Sequence, residues 1–118
     1  MFLNDFFKIV NQNSTSETIT SEIELNANHK IFDGHFPGFP VTPGVLQLQM
    51  VKEILEQHLK KKLVTKAMRT CKFLKILNPM ETPLLFIDLK FVQDNFLNVT
   101  ASATNGDEVY FKAQISYQ

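Results

Sequence analysis

A single α+β domain, one long central helix wrapped by an antiparallel sheet, is the fold class that this sequence predicts, on three observations. The run GVLQLQMVKEILEQHLKKK (44–62) is apolar around most of its circumference when plotted at about 100° per residue. After it come four segments rich in β-branched, aromatic or alternating residues, separated by NPMETP, QDN and NGD. Before it, ETITSEIEL (17–25) puts Ile19, Ile23 and Leu25 on one face and Thr18, Thr20, Glu22 and Glu24 on the other, the pattern of a half-buried strand. A helix that is apolar nearly all round must be covered, and a sheet folded about it does this. The 118 residues suit one domain, 1–118, and are too few for two good cores.

Taken in chain order, Phe2, Leu3, Phe6, Phe7 and Val10 recur at helical spacing and predict a short amphipathic N-terminal helix. NQNSTS (11–16) reads as a loop, and the strand at 17–25 follows. At the long helix, Thr42 is the predicted N-cap, Pro43 suits the first turn, and Lys60, Lys61 and Lys62 suit the last. Its first half is expected to be buried on nearly every side, by Val45, Leu46, Leu48, Met50, Val51, Ile54 and Leu55. Gln49, Glu53, Glu56 and Lys60 fall on one narrow polar stripe, and Gln47 points roughly the opposite way. The strands are expected in VTKAMRTCKFLKIL (64–77), LLFIDLKFV (84–92), FLNVTASAT (96–104) and EVYFKAQIS (108–116).

Composition excludes several function classes. Twelve acidic and twelve basic residues cancel, so no bulk charge draws the chain to nucleic acid or to an anionic membrane. No apolar run approaches the roughly 18 residues of a membrane span. MFLNDFFKIV is hydrophobic, but it is short, contains Asp5 and lacks a basic leader, which argues against a signal peptide. A lone cysteine, Cys71, rules out an internal disulfide and fits a reducing, cytoplasmic setting. The scattered histidines and the single cysteine make no metal-ligand pattern, and there is no phosphate-loop or dinucleotide fingerprint. Seven of the twelve basic residues lie between Lys60 and Lys75 with no acid among them, a local patch in a neutral chain.

The most specified stretch is HFPGFPVTPGVLQLQ (35–49). Pro37, Pro40, Pro43, Gly34, Gly38 and Gly44 are crowded into 34–44, so the backbone there is set residue by residue, and the loop reads as a holder for His35. GHFPGFPVTPGVL, together with the order of one helix and an antiparallel sheet, resembles the hot-dog 3-hydroxyacyl-(acyl carrier protein) dehydratases of fatty-acid synthesis, the FabA/FabZ type. The close match covers about residues 29–50, with a weaker echo in KFLKILNP (72–79). The resemblance implies a hot-dog fold whose subunits join sheets edge to edge, as a homodimer or higher homo-oligomer. It also implies an acyl carrier protein as partner, with the substrate on its phosphopantetheine arm and no cofactor of the chain's own.

The implied reaction removes water across the α and β carbons of a 3-hydroxyacyl thioester. By the resemblance His35 takes the α-proton, a role its ordinary pKa near about 6.5 suits. Gly44 offers its backbone N–H to the thioester oxygen, where the helix dipole favours negative charge. Phe36, Phe39, Pro43 and Val45 fall where substrate would be lined. The family places Glu or Asp fourteen residues after the histidine, and here that residue is Gln49. Glutamine can hold a hydroxyl or water but gives up no proton. General acid catalysis contributes about 10²–10⁴-fold, about 3–5 kcal/mol of barrier. Three compensations stay open. Glu53, one turn on, is a candidate substitute acid, although its plainer reading is a solvated helix glutamate. A homologous subunit that keeps the carboxylate could complete a mixed dimer. Or the chain binds acyl thioesters without dehydrating them, or hydrolyses them as hot-dog thioesterases do. Lys62, Lys66, Arg69 and Lys72 are the candidate docking surface for an acidic carrier protein, and their plainer role is to charge the solvent face of a strand.

Overall fold

The computed structural model describes residues 1–33 and 40–118. Among these residues the elements run β1 Phe7–Ser14, β2 Thr18–Leu25, α1 Gly44–Leu59, β3 Thr65–Phe73, β4 Leu84–Gln93, β5 Leu97–Asn105 and β6 Glu108–Tyr117, with a 3₁₀ turn at Lys30–Phe32. The strands form one antiparallel sheet in the spatial order β1-β2-β4-β5-β6-β3. The four strands expected after the helix and the one expected before it are all present.

The sheet's core face follows from its period of two. Ile19, Ile23, Leu85, Ile87, Leu89, Val99, Ala101, Ala103, Ala113 and Ile115 are buried, while their neighbours Thr20, Glu24, Phe86, Lys90, Thr100 and Gln114 are exposed. Leu46, Met50, Val51, Ile54 and Leu55 of α1 belong to the same core. Ala101 and Ala113 are paired across β5 and β6, and such small side chains in mid-sheet let a helix lie close. The turn between β5 and β6 is made by Gly106 at φ 59, a conformation that glycine adopts without strain.

The N-terminal helix is not formed. The amides of Asp5, Phe6 and Phe7 all return to the carbonyl of Phe2, Asn4 takes φ 66, and Phe7 already begins β1. Phe6 and Phe7 are both fully buried, Phe7 from within β1. The expected loop at 11–16 is likewise corrected, because Asn11, Gln12, Asn13 and Ser14 pair with Glu22, Ser21, Thr20 and Ile19. Pairing with β2 supplies the backbone partners that this polar segment's local sequence does not announce.

The helix ends also differ from expectation. Pro43 is the N-cap and offers no side-chain bond, while its carbonyl accepts from the amides of Leu46 and Gln47 at 3.1 and 3.2 Å. Thr42 is buried instead, tied through its own N–H to the carbonyl of Leu77 at 2.8 Å. At the other end Lys60 adopts φ 56 and its N–H closes on Glu56, so α1 stops at Leu59 and the lysine run lies beyond it. Burial of the first half is one-sided, with Val45 77% exposed.

Candidate active site

His35, Phe36 and Phe39, the expected base and two of the expected lining residues, lie outside the described residues. Of the remaining site residues, Pro43 and Gly44 meet at the start of α1, while Gln49 and Glu53 lie further along it, outside the cleft there. That cleft, of about 390 Å³, is lined among others by Thr42, Pro43, Gly44, Gln47, Phe73 and Ile76. Pro43 and Gly44 are thus brought together, and Val45 is not in the lining. The amides of Gly44 and Val45 precede the first carbonyl that a helix can offer, so they are free of intrahelical partners and aligned with the positive end of its dipole.

Gly44 has a steric reason as well. A Cβ built on it would stand 2.5, 2.8 and 2.9 Å from Cζ, Cε2 and Cε1 of Phe73. Only a residue without a side chain lets that ring lie across the first turn of the helix. Two buried polar atoms face the same region. Gln47 donates through Nε2 to the carbonyl of Thr42 at 3.2 Å. Gln47 Oε1 and Thr42 Oγ1 have no partner among the described residues.

One turn along α1, Gln49 is half-buried and donates through Nε2 to Glu53 Oε2 at 2.9 Å. Glu53 is not the solvated glutamate of the plainer reading, being 1% exposed. Its Oε1 accepts from the amides of Phe2 and Leu3, both at 2.8 Å, and Oε2 accepts from Phe2 at 3.0 Å. Burying a carboxylate is tolerated when its lone pairs are met by donors, and here every contact is a donor. The N-terminal segment therefore closes over Glu53. Nothing in residues 2 and 3 marks this in the sequence, because they contribute backbone amides.

A second polar pair was not legible as a constellation. Nε2 of buried His29 lies 2.9 Å from Asp5 Oδ2, while its Nδ1 accepts the amide of Ile31 at 3.0 Å. The hydrogen bond with His29 holds the Asp5 carboxyl below its ordinary pKa, against a smaller opposing effect of burial. With both ring nitrogens engaged, His29 ties the N-terminal segment to the 3₁₀ turn. Burial pushes the Cys71 thiol up, away from nucleophilic reactivity. Among the described residues no three His, Cys, Asp or Glu side chains gather as a metal site would require. The four candidate docking residues are all exposed: Lys62 follows α1, and Lys66, Arg69 and Lys72 lie on β3. Lys66 stands 5.8 Å over the ring of Phe96, and Lys75 is paired with Glu108 at 3.2 Å.

One helix against a six-stranded antiparallel sheet, in a chain whose sequence carries the GHFPG motif, defines a hot-dog protein of the dehydratase class. Residues 11–112 match the family model of the ApeI-like proteins, described as ApeI dehydratase, and the chain belongs to that family. It is similar to the 3-hydroxyacyl-[acyl-carrier-protein] dehydratase FabZ of Levilactobacillus brevis, 27% identical over 119 residues covering 95% of this chain and 80% of the relative. FabZ of Fusobacterium nucleatum is 24% identical, over 93% of this chain and 82% of its own. Among solved structures, a chain of the dehydratase heterocomplex ApeI:P from Xenorhabdus doucetiae shares the fold with a TM-score of 0.74 at 18% identity, covering 92% of this chain and 95% of that one. A candidate thioesterase from Syntrophus aciditrophicus shares it at a TM-score of 0.57 and 12% identity, over 97% and 84%.

Proposed function

We propose that this chain dehydrates 3-hydroxyacyl thioesters presented by an acyl carrier protein in the cytoplasm. The observation that carries the reading is Gly44, the last glycine of the sequence motif GHFPGFPVTPG, which begins α1 and lines an open cleft. The family to which the chain belongs and its likeness to FabZ proteins support it. His35 takes the α-proton, and the electrons of that C–H bond move toward the thioester carbonyl. The Gly44 amide receives the charge that develops on the oxygen. As the double bond forms, the Cβ–O bond breaks and hydroxide leaves to be protonated as water. The elimination is redox-neutral and needs no cofactor of the chain's own. Pro43 borders the acyl path, to which the resemblance also assigns Phe36 and Phe39, and Lys62, Lys66, Arg69 and Lys72 receive the acidic carrier.

The departing hydroxide gets no proton from Gln49, and the oxygens of Glu53 are engaged by the Phe2 and Leu3 amides and the Gln49 side chain. Alone, the chain therefore turns over slowly, with solvent as the proton source. A second reading is favoured by this same gap and by the heterocomplex seen in a structural neighbour. In it the chain pairs with a homologous subunit that keeps the carboxylate. The test is dehydration of a 3-hydroxyacyl carrier-protein thioester by the purified chain, by His35→Ala, and by each mixed with such a homologue inactivated at its own histidine. Turnover lost on His35→Ala is expected in both settings, and higher turnover in the mixture identifies the mixed assembly. No product from the native chain in either setting overturns the dehydratase reading.

A further inference from the structure

Gln49 is a symmetrical-looking side chain with an asymmetric role, because its amide can present either an oxygen or a nitrogen. Which end faces outward is decided by Glu53. A carboxylate whose other contacts are all N–H donors accepts only, so the amide atom 2.9 Å from Glu53 Oε2 must be nitrogen. Within the planar amide, the Gln49 carbonyl oxygen therefore points away from Glu53 Oε2. The clamp that fixes this is rigid: Glu53 is 1% exposed, and Oε1 is held by two backbone amides 51 and 50 residues away in sequence.

We infer that Glu53 is a positioning residue that makes Gln49 an acceptor toward the substrate's C3 substituent, so that the site selects a 3-hydroxyacyl over a 3-oxoacyl chain. This rests on the dehydratase reading, which puts the C3 oxygen beside Gln49. A hydroxyl donates to the outward carbonyl oxygen, whereas a ketone oxygen meets it as acceptor against acceptor. The pair thus substitutes selection for proton donation at the place where the family carries an acid.

Glu53→Gln reverses the arrangement. Its oxygen stays with the Phe2 and Leu3 amides, its nitrogen replaces Oε2, and the Gln49 amide must flip to accept from it. The nitrogen of Gln49 then faces outward. The measurement is the affinity of the full chain for two stable amide-linked pantetheine analogues of equal length, one 3-hydroxy and one 3-oxo. The native chain is expected to prefer the hydroxy analogue by about fivefold, the worth of one net neutral hydrogen bond. Glu53→Gln is expected to lose the preference, because a hydroxyl oxygen accepts from the outward N–H as a ketone oxygen does. Gln49→Ala leaves the Glu53 clamp on Phe2 and Leu3 in place and is expected to bind both equally, which decides the matter even if Glu53→Gln folds poorly. A preference unchanged by Gln49→Ala, or absent from a native chain that binds both analogues, overturns the inference while leaving the dehydratase reading standing. Binding of neither analogue by the native chain overturns that reading and the inference with it.

Discussion

The two ring nitrogens of His29 have different partners, and the difference assigns its hydrogen. Nδ1 accepts from Ile31, so Nε2 is the nitrogen that donates to Asp5. The hydrogen bond favours the charged form of Asp5, whose pKa falls below the ordinary value of about 4 when the chain folds. A carboxyl with a depressed folded pKa contributes stability that is fully present above its unfolded pKa and is lost as pH falls through the folded one. Asp5→Asn should therefore lower the urea midpoint at neutral pH, and the gap to the native chain should close as pH drops below about 4. A gap that stays constant across that range would show that the Asp5 charge is not what matters. At Gly44, by contrast, the requirement is space, since Phe73 occupies the volume that a Cβ would need. The motif made Gly44 readable as a site residue. The ring that lies on it comes from β3, and no local pattern predicts which side chain crosses a helix start.

The N-terminal segment and α1 share the hydrophobic core through Phe6 and are also joined by one carboxylate. Glu53 accepts from Phe2, Leu3 and Gln49, while the rings of Phe2 and Phe6 lie 6.3 and 5.7 Å from that of His29. Removing the carboxylate leaves two part-buried amides and the Gln49 side chain without their acceptor. Glu53→Ala should cost about 1.5–3 kcal/mol, the range for hydrogen bonds to a charged group. The same variant should speed hydrogen exchange at the Phe2 and Leu3 amides without melting α1. Unchanged exchange at both amides would mean that the segment is held by its phenylalanines. Much of the secondary structure was legible because α1, β2 and the later strands each carry their own period in apolar residues. The first ten residues misled because Phe2, Leu3, Phe6, Phe7 and Val10 satisfy helical spacing, yet the pairing that decides their fate lies with β2 and with Glu53. The four-residue spacing of Gln49 and Glu53 marked them as neighbours; only the fold shows that Glu53 is covered.

At the scale of the molecule, the sheet leaves two edges, β1 and β3, and they are unlike. β3 pairs only with β6, and its register slips at Lys66 and at Arg69, so that both basic residues sit at bulges. Bulges and basic side chains limit indiscriminate pairing along an edge. Yet Met68 and Phe73, opposite Ile115 and Phe111 on the core side, are 44% and 48% exposed. Val45 at the start of α1 adds to this uncovered apolar surface, and Leu74 and Ile76 extend it past the strand. A net charge of zero gives two copies no bulk electrostatic reason to stay apart. An edge whose underside is apolar is suited to a second hot-dog subunit, the assembly that the proposed dehydratase would use. Met68→Lys puts a charge on that underside at a position the single chain leaves open to water, so the stability of one subunit should change by less than about 0.5 kcal/mol. Sedimentation should find the native chain as a dimer or larger at tens of micromolar, about the range where such contacts act, and Met68→Lys as a single chain. A native chain that sediments singly has no use for this edge in self-association. In that case a carboxylate-bearing homologue should bring it into a dimer, and Met68→Lys should abolish that pairing; a variant that still pairs would place the contact elsewhere on the molecule.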